Sequence, residues 1–149
     1  LSRLAKYAKY YIKDALKDSV LVSGEDFGFL AAVLEKDYNN KSELISYNVH
    51  ETPSGMEIIK RLVKNNLISE RVDHEDRRKK VLQITDKGRA EFFKTSLEMQ
   101  KVAQIVSGKL KDSEIQIFYE LLRKLDHFHE TVYHNHPNYN IDQVIDTEF

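Results

Sequence analysis

The chain has 149 residues, 41% of them hydrophobic and 32% charged, with a formal net charge of −1, which is one domain's length with enough surface to bury to fold without staples. It contains no Cys, which excludes disulfides, thiolate metal ligands and thiol-based oxidant sensing. It has no apolar run of about 18 residues, so no transmembrane helix is expected, and the amphipathic opening LSRLAKYAKYY lacks the apolar core of a secretory signal, so a cytoplasmic protein is expected.

The chain begins on Leu1 rather than Met, as a fragment would. Residues 2–18 carry Leu4, Ala8, Tyr11, Ile12, Ala15 and Leu16 at spacings of three and four, which predicts an amphipathic helix. Ser23 followed by Asp26 has the spacing of a capping box, and Phe27, Leu30, Ala31 and Leu34 give residues 24–37 an apolar helical face. Asn40, with Glu43 three residues on, predicts the start of a short helix carrying Leu44 and Ile45. Thr52 before Pro53 predicts a further helix with Thr52 as its N-cap. Met56, Ile59, Leu62 and Val63 form its expected inward stripe, and Asn65 and Asn66 end it in a left-handed cap.

The periodicity then changes. Leu67–Val72 and Lys80–Thr85 are short and β-branched around a wholly polar segment, Asp73–Lys79, which predicts a hairpin. Thr85 opens a long helix to about Leu110, and Ile115, Phe118, Leu121, Leu122, Leu125 and Phe128 predict a last one from Asp112. Residues 134–149, with Pro137 and several acids, are expected to be an irregular tail.

The charge is unevenly spread. Lys60–Lys80 holds eight basic residues against four acids, +4 net, which leaves −5 for the remainder. A local basic patch on an acidic chain is what steering toward a polyanion requires. Two helices joined by a short turn and followed by a charged hairpin make a winged helix-turn-helix. The fold class expected is therefore mainly α with a small β-hairpin, a winged helix-turn-helix plus a helical dimerisation region. The helix 52–65 suits the major groove. Thr52, Ser54 and Gly55 at its N-terminus offer hydroxyls and backbone N–H groups to phosphate. Lys60 and Arg61 suit phosphate contacts, and Glu57 either accepts from a cytosine amino group or pairs with Arg61 at i,i+4. In the wing, Arg77, Arg78 and Lys79 supply positive charge, and Asp73 and Asp76 brace the arginines.

Residues 44–92, and above all DHEDRR (73–78) followed by LQITDKGRA (82–90), resemble the MarR family of bacterial transcriptional regulators. The family pattern has an acid, two residues, Asp-Arg-Arg, an apolar strand and Thr-x-x-Gly, and the pieces fall in register here. The resemblance implies one MarR-like domain over residues 1–149. Segments 1–20 and 108–149 would form the dimerisation helices and tail, and 24–107 the winged helix-turn-helix lobe with its long connecting helix. It implies a homodimer bound to double-stranded DNA at a palindromic operator, with half-sites about 34 Å apart. It further implies repression relieved by a small ligand, often an aromatic acid. The chain departs from the pattern at Glu57, where a donor is common, and at Asn48-Val49, where the turn usually reads Leu-Gly. It departs again at Asn66, where Gly is common, and in the tail beyond Pro137.

Two other side-chain sets bear on function. Tyr7, Tyr10, Tyr11, Phe27, Phe29, Phe92 and Phe93 form an aromatic set that reads either as core and dimer interface or as an effector pocket, the latter built on Tyr7, Tyr11, Phe27 and Phe92. His127, His129, His134 and His136 read as surface histidines or as a Zn²⁺ chelate, and no metal or other cofactor is expected. No acid-base-nucleophile constellation stands out, so the protein is not expected to be an enzyme. Two alternatives to the regulator reading remain: a winged helix that contacts protein after losing DNA binding, and a metal-responsive regulator.

Overall fold

The computed structural model describes residues 2–38, 40–72, 80–135 and 140–149. The chain divides into two compact units, Leu1–Val106 and Ser107–Phe149. The first holds α1 (Ser2–Ala15), α2 (Gly24–Glu35), α3 (Lys41–Tyr47), α4 (Thr52–Lys64), β1 (Ile68–Val72), β2 (Lys80–Ile84) and all but the last residue of α5 (Asp86–Ser107). The second holds α6 (Asp112–Asn135) and α7 (Ile141–Glu148). This is the mainly α chain with a small hairpin that the periodicity predicts.

The core of the first unit lies where α2, α3 and α4 meet the hairpin. Phe29, Leu30 and Val33 of α2, Leu44 and Ile45 of α3, Ile58, Ile59 and Leu62 of α4, Leu67, Ile68 and Leu82 are all buried. Apolar burial of this kind contributes about 1.5–3 kcal/mol per large side chain. The strands pair antiparallel, with Ile68 opposite Ile84 and Glu70 opposite Leu82. Tyr38 adds a bridge on the other side of β2, donating its N–H to the Leu82 carbonyl (3.1 Å) and accepting from the Leu82 N–H (2.8 Å). The segment after α2 therefore acts as a third strand one residue long, too short to leave a periodic signal.

The helix starts follow side-chain chemistry. The Ser23 hydroxyl accepts from the Asp26 N–H (3.2 Å), and the Asn40 side chain accepts from the Glu43 N–H (2.8 Å). The Thr85 hydroxyl accepts from the Gly88 N–H (2.9 Å) while donating to the carbonyls of Asn66 (2.7 Å) and Leu67 (3.1 Å). The Thr85 N–H also donates to the Leu67 carbonyl (3.0 Å). Asn66 has φ +56°, the left-handed conformation that ends α4.

Three expectations need correction. Thr52 is not the N-cap of α4: Glu51 holds that position, with no side-chain cap bond, and Pro53 falls within the first turn. Met56 is 40% exposed, because Gly55, Ile58, Ile59 and Leu62 form the inward stripe instead. The tail is not irregular throughout. α6 runs to Asn135, and Asn140 accepts from the Gln143 N–H (2.8 Å) to open α7. Ile141, Val144 and Ile145 give α7 helical spacing that Pro137 obscures in the sequence. The Phe149 ring lies 5.8 Å from that of Phe128. Neither α6 nor α7 buries a residue. Among the described residues, no helix is long and apolar enough to cross a membrane.

Candidate nucleic-acid interface

α3 and α4 meet at a tight turn. Val49 there has φ +53°, a left-handed conformation that costs a β-branched residue about 1–2 kcal/mol. The Asn48 amide donates to the Leu44 carbonyl (2.9 Å), and the His50 N–H donates to that of Ile45 (3.1 Å). Past the turn the two helices touch at Gly55, where a Cβ would come within 2.6 Å of Ile45 Cγ1. Gly55 is needed for close packing. Its own N–H donates to the Glu51 carbonyl (2.9 Å) and the residue is buried, so the expectation that it offers a free backbone donor to phosphate is corrected.

Thr52, Ser54, Glu57 and Lys60 are exposed on α4, as are Met56 and Lys64. Ser54 donates to the Glu51 carbonyl (3.0 Å), and its oxygen lies 3.5 Å from His50 Nδ1. The outward face of α4 thus presents two hydroxyls at its N-terminus, then Glu57, then two ammonium groups.

Arg61 behaves differently from its neighbour Lys60. Its Nε donates to Asp26 Oδ2 (3.0 Å) and its Nη2 donates to Asp26 Oδ1. Asp26 is fully buried, and its carboxylate also accepts from the Val22 N–H (2.9 Å) and the Ser23 hydroxyl (3.4 Å). The hydrogen bond to Asp26 holds the Arg61 guanidinium above its ordinary value, and Glu57 adds a weaker attraction. Arg61 is therefore paired across to α2. The expected phosphate contact and the expected i,i+4 pair with Glu57 give way to it, because a buried carboxylate demands a partner. In the sequence Asp26 reads only as a helix-start residue, and nothing there pairs positions 35 residues apart.

The hairpin is fixed to the helix-turn-helix by charge. Glu70 on β1 meets Lys41 at the start of α3 (2.7 Å) and Lys80 on β2 (3.5 Å). The Lys41 hydrogen bond, with Lys80 behind it, holds the Glu70 carboxyl below its ordinary value. Asp73, Asp76, Arg77, Arg78 and Lys79, the wing residues of the sequence reading, lie outside the described residues.

Of the four aromatic residues expected to line an effector pocket, Tyr7 and Tyr11 share a cavity and Phe27 and Phe92 share a stack. Phe27 and Phe92 stack face to face, centroids 5.0 Å apart. Tyr7 and Tyr11 line a cavity of about 210 Å³ with Leu4, Ile105 and Val106. A larger one, about 500 Å³, lies between α1, the start of α2 and the turn before α4, lined by Lys9, Ile12, Lys13, Leu16, Val22, Ser23, Gly24, Glu25, Gly28, Asn48 and His50. Glu25 on its rim pairs with Lys9 (3.1 Å). A backbone hydrogen bond and then Lys9 hold the Glu25 carboxyl below its ordinary value. Lys13 has no ion pair among the described residues.

Of the C-terminal histidines, His127 faces Glu130 (3.9 Å) and His134 lies against the Glu130 carbonyl (2.8 Å). His136 falls outside the described residues. Among the described residues no group of three or more His, Cys, Asp or Glu is placed to hold a metal ion.

Comparison with known proteins extends this geometry. No protein-family model matches the chain. An uncharacterised HTH-type transcriptional regulator of Staphylococcus aureus (strain Mu50) is 32% identical over 80 residues, 54% of this chain and 54% of the relative. The chain thus spans about half the length of the curated relatives it matches. Among solved structures, Bordetella bronchiseptica BpsR, whose DNA binding is regulated by 6-hydroxynicotinic acid, superposes with TM-score 0.75 at 23% identity, covering 85% of this chain and 89% of its own. A MarR transcriptional regulator from Methanosarcina mazei Go1 gives 0.73 at 20%, covering 87% and 94%. The repressor CouR, solved on a 23-mer DNA duplex, gives 0.76 at 17%, covering 85% and 89%.

Proposed function

Because the chain has the winged-helix fold of the MarR transcriptional regulators, we propose that it is a dimeric regulator that binds duplex DNA through α4 and the wing segment 73–79. The observation that carries this reading is the division of α4. One side, Gly55, Ile58, Ile59 and Leu62, is spent on the core, and the other leaves Thr52, Ser54, Glu57, Lys60 and Lys64 in solvent. A helix with its N-terminal hydroxyls and its cations on the free face is equipped to enter a major groove and meet phosphate. Arg77, Arg78 and Lys79 would add phosphate or minor-groove contacts beside it.

Dimerisation is assigned to the second unit together with α1. In α6, Ile117, Phe118, Leu121 and Leu125 are 47–59% exposed, and a continuous apolar face of that kind marks a protein contact. A two-fold dimer sets the two α4 helices about one helical turn of DNA apart.

The small ligand of this reading is placed in the 500 Å³ cavity rather than among the four aromatic residues. Lys13 and His50 favour an anionic group, and Ile12, Leu16 and Val22 favour an apolar body. A small aromatic carboxylate has that size and charge, and its binding would relieve repression.

Selection from a random duplex library tests the DNA assignment. The expected product is a palindrome with half-sites about 34 Å apart. Its affinity should fall linearly with the logarithm of salt, with slope near −0.9 per phosphate neutralised. Enrichment of no sequence, with folded protein at about 50 mM salt, overturns it and favours the protein-contact reading that Glu57 on the outward face of α4 supports.

A further inference from the structure

We propose that Asp26 is a positioning residue for α4, and that its pairing with Arg61 sets the angle at which the helix presents base-reading side chains. The inference rests on the DNA-binding reading above.

The geometry has three parts. Asp26 is locked before Arg61 arrives, since its carboxylate accepts from the Val22 N–H and the Ser23 hydroxyl and is fully buried. Arg61 meets it through two nitrogens, Nε and Nη2, and a two-point guanidinium fork fixes direction as well as distance. A second fixed point lies six residues earlier, about 9 Å along the helix axis, where Gly55 packs on Ile45. Ile58, Ile59 and Leu62 seat α4 on the core, and the Gly55 and Arg61 contacts, on different neighbours, set how far it is rolled on that seat. Arg61 also sits on the flank of α4, between the buried side and the exposed face of Glu57, Lys60 and Lys64. Rolling α4 by about 10° shifts side-chain tips by about 1 Å, more than recognition geometry tolerates. The clamp therefore governs selectivity between sequences more than total affinity.

The electrostatic expectation runs the other way, which makes the proposal testable. If Arg61 were a phosphate contact, Arg61→Met would lower the salt slope by about one phosphate and weaken binding to every sequence alike. Removing the Asp26 charge would, if anything, tighten binding. If Asp26 positions α4, Asp26→Asn and Arg61→Met both reduce the ratio of selected to random-sequence affinity, by about tenfold, and leave the salt slope unchanged.

Breaking a buried pair from one side endangers folding, so the deciding variant is Asp26→Leu with Arg61→Met, which replaces the pair by apolar groups. The expected result is a folded protein, by thermal melt and circular dichroism, that binds random duplex with the parent slope but has lost about tenfold in selectivity. Rescue completes the expected pattern, with Arg61→Lys, which keeps the charge without the fork, recovering stability but not selectivity. Full selectivity in the folded double variant overturns the proposal, as does a salt slope lower by about one in Arg61→Met alone. If the parent protein itself selects no sequence, the DNA-binding reading fails first, and that outcome is separate from a parent that selects and a variant that still does.

Discussion

A Cβ placed on Gly88 would lie 1.9 Å from the carbonyl oxygen of Leu67. The first turn of α5 thus runs against the backbone that enters the hairpin, and no side chain fits between them. Because the obstacle is backbone, neither partner has a soft way to yield. Gly88→Ala is expected to cost about 3 kcal/mol, read from urea denaturation midpoints. A loss under about 0.5 kcal/mol would show that the contact opens freely.

Val49 is expected to be destabilising where it stands. It holds φ +53° and is 62% exposed, so it carries left-handed strain with little packing in return. Glycine removes the strain but loses more entropy on folding. The balance favours Val49→Gly by about 0.5–1 kcal/mol, measured by thermal unfolding. A lower melting temperature for the variant would contradict this account of the turn.

Tyr38 is fully buried, and its hydroxyl has no hydrogen-bond partner among the described residues. Burial first, then Tyr47, Glu35 and Glu43, pushes its phenol up to about 12 from an ordinary 10.0. A raised folded value means that the stability held by the neutral phenol is complete below pH 10 and is lost as pH rises through about 12. Tyr38→Phe should raise stability at neutral pH by about 1 kcal/mol, since an unpaired buried hydroxyl is removed. It should also flatten the alkaline loss between those two values. Equal alkaline unfolding in parent and variant would place the titrating group elsewhere.

Glu70 gives the acid side. Its carboxyl is held below 4.5 by Lys41 and then Lys80, so its contribution is present above that pH and is lost as pH falls through the depressed value. Glu70→Gln should lower stability at pH 7 by less than about 1 kcal/mol, because both lysines remain partly in solvent. The difference between parent and variant should vanish once the pH has fallen through that depressed value. A difference that persists in acid would make the effect one of shape rather than charge.

The sequence was informative wherever one residue's chemistry acts on its own neighbourhood. Ser23, Asn40 and Thr85 announce helix starts because their oxygens bond to N–H groups three residues on, and Asn66 tolerates a left-handed φ. The spacing of Thr85 and Gly88 has a cause, since Thr85 caps α5 and Gly88 clears Leu67. What stayed hidden depends on residues far apart in the chain. Arg61 has the appearance of a phosphate ligand until Asp26, 35 positions earlier, is seen beneath it. Gly55 looks like a free backbone donor until Ile45 is packed on it, and Tyr38 lies in a connection with no periodicity at all. Thr52 misled for a local reason: Thr before Pro is a good cap signature, but the cap falls one residue earlier, at Glu51, and Thr52 is already the first helical residue.

The joint between the hairpin and α5 has little slack. The Thr85 hydroxyl and N–H both donate to the Leu67 carbonyl where the chain enters β1, and the same hydroxyl caps α5 where it leaves β2. Mechanically the two strands are a crank arm on the shaft of α5, keyed at its root by hydrogen bonds and by the missing side chain of Gly88. Five-residue strands make an arm about 16 Å long. A swing of about 10° at the root would move the far end of the strands by about 3 Å, and the Tyr38 bridge to Leu82 and the Glu70–Lys41 pair stand against it.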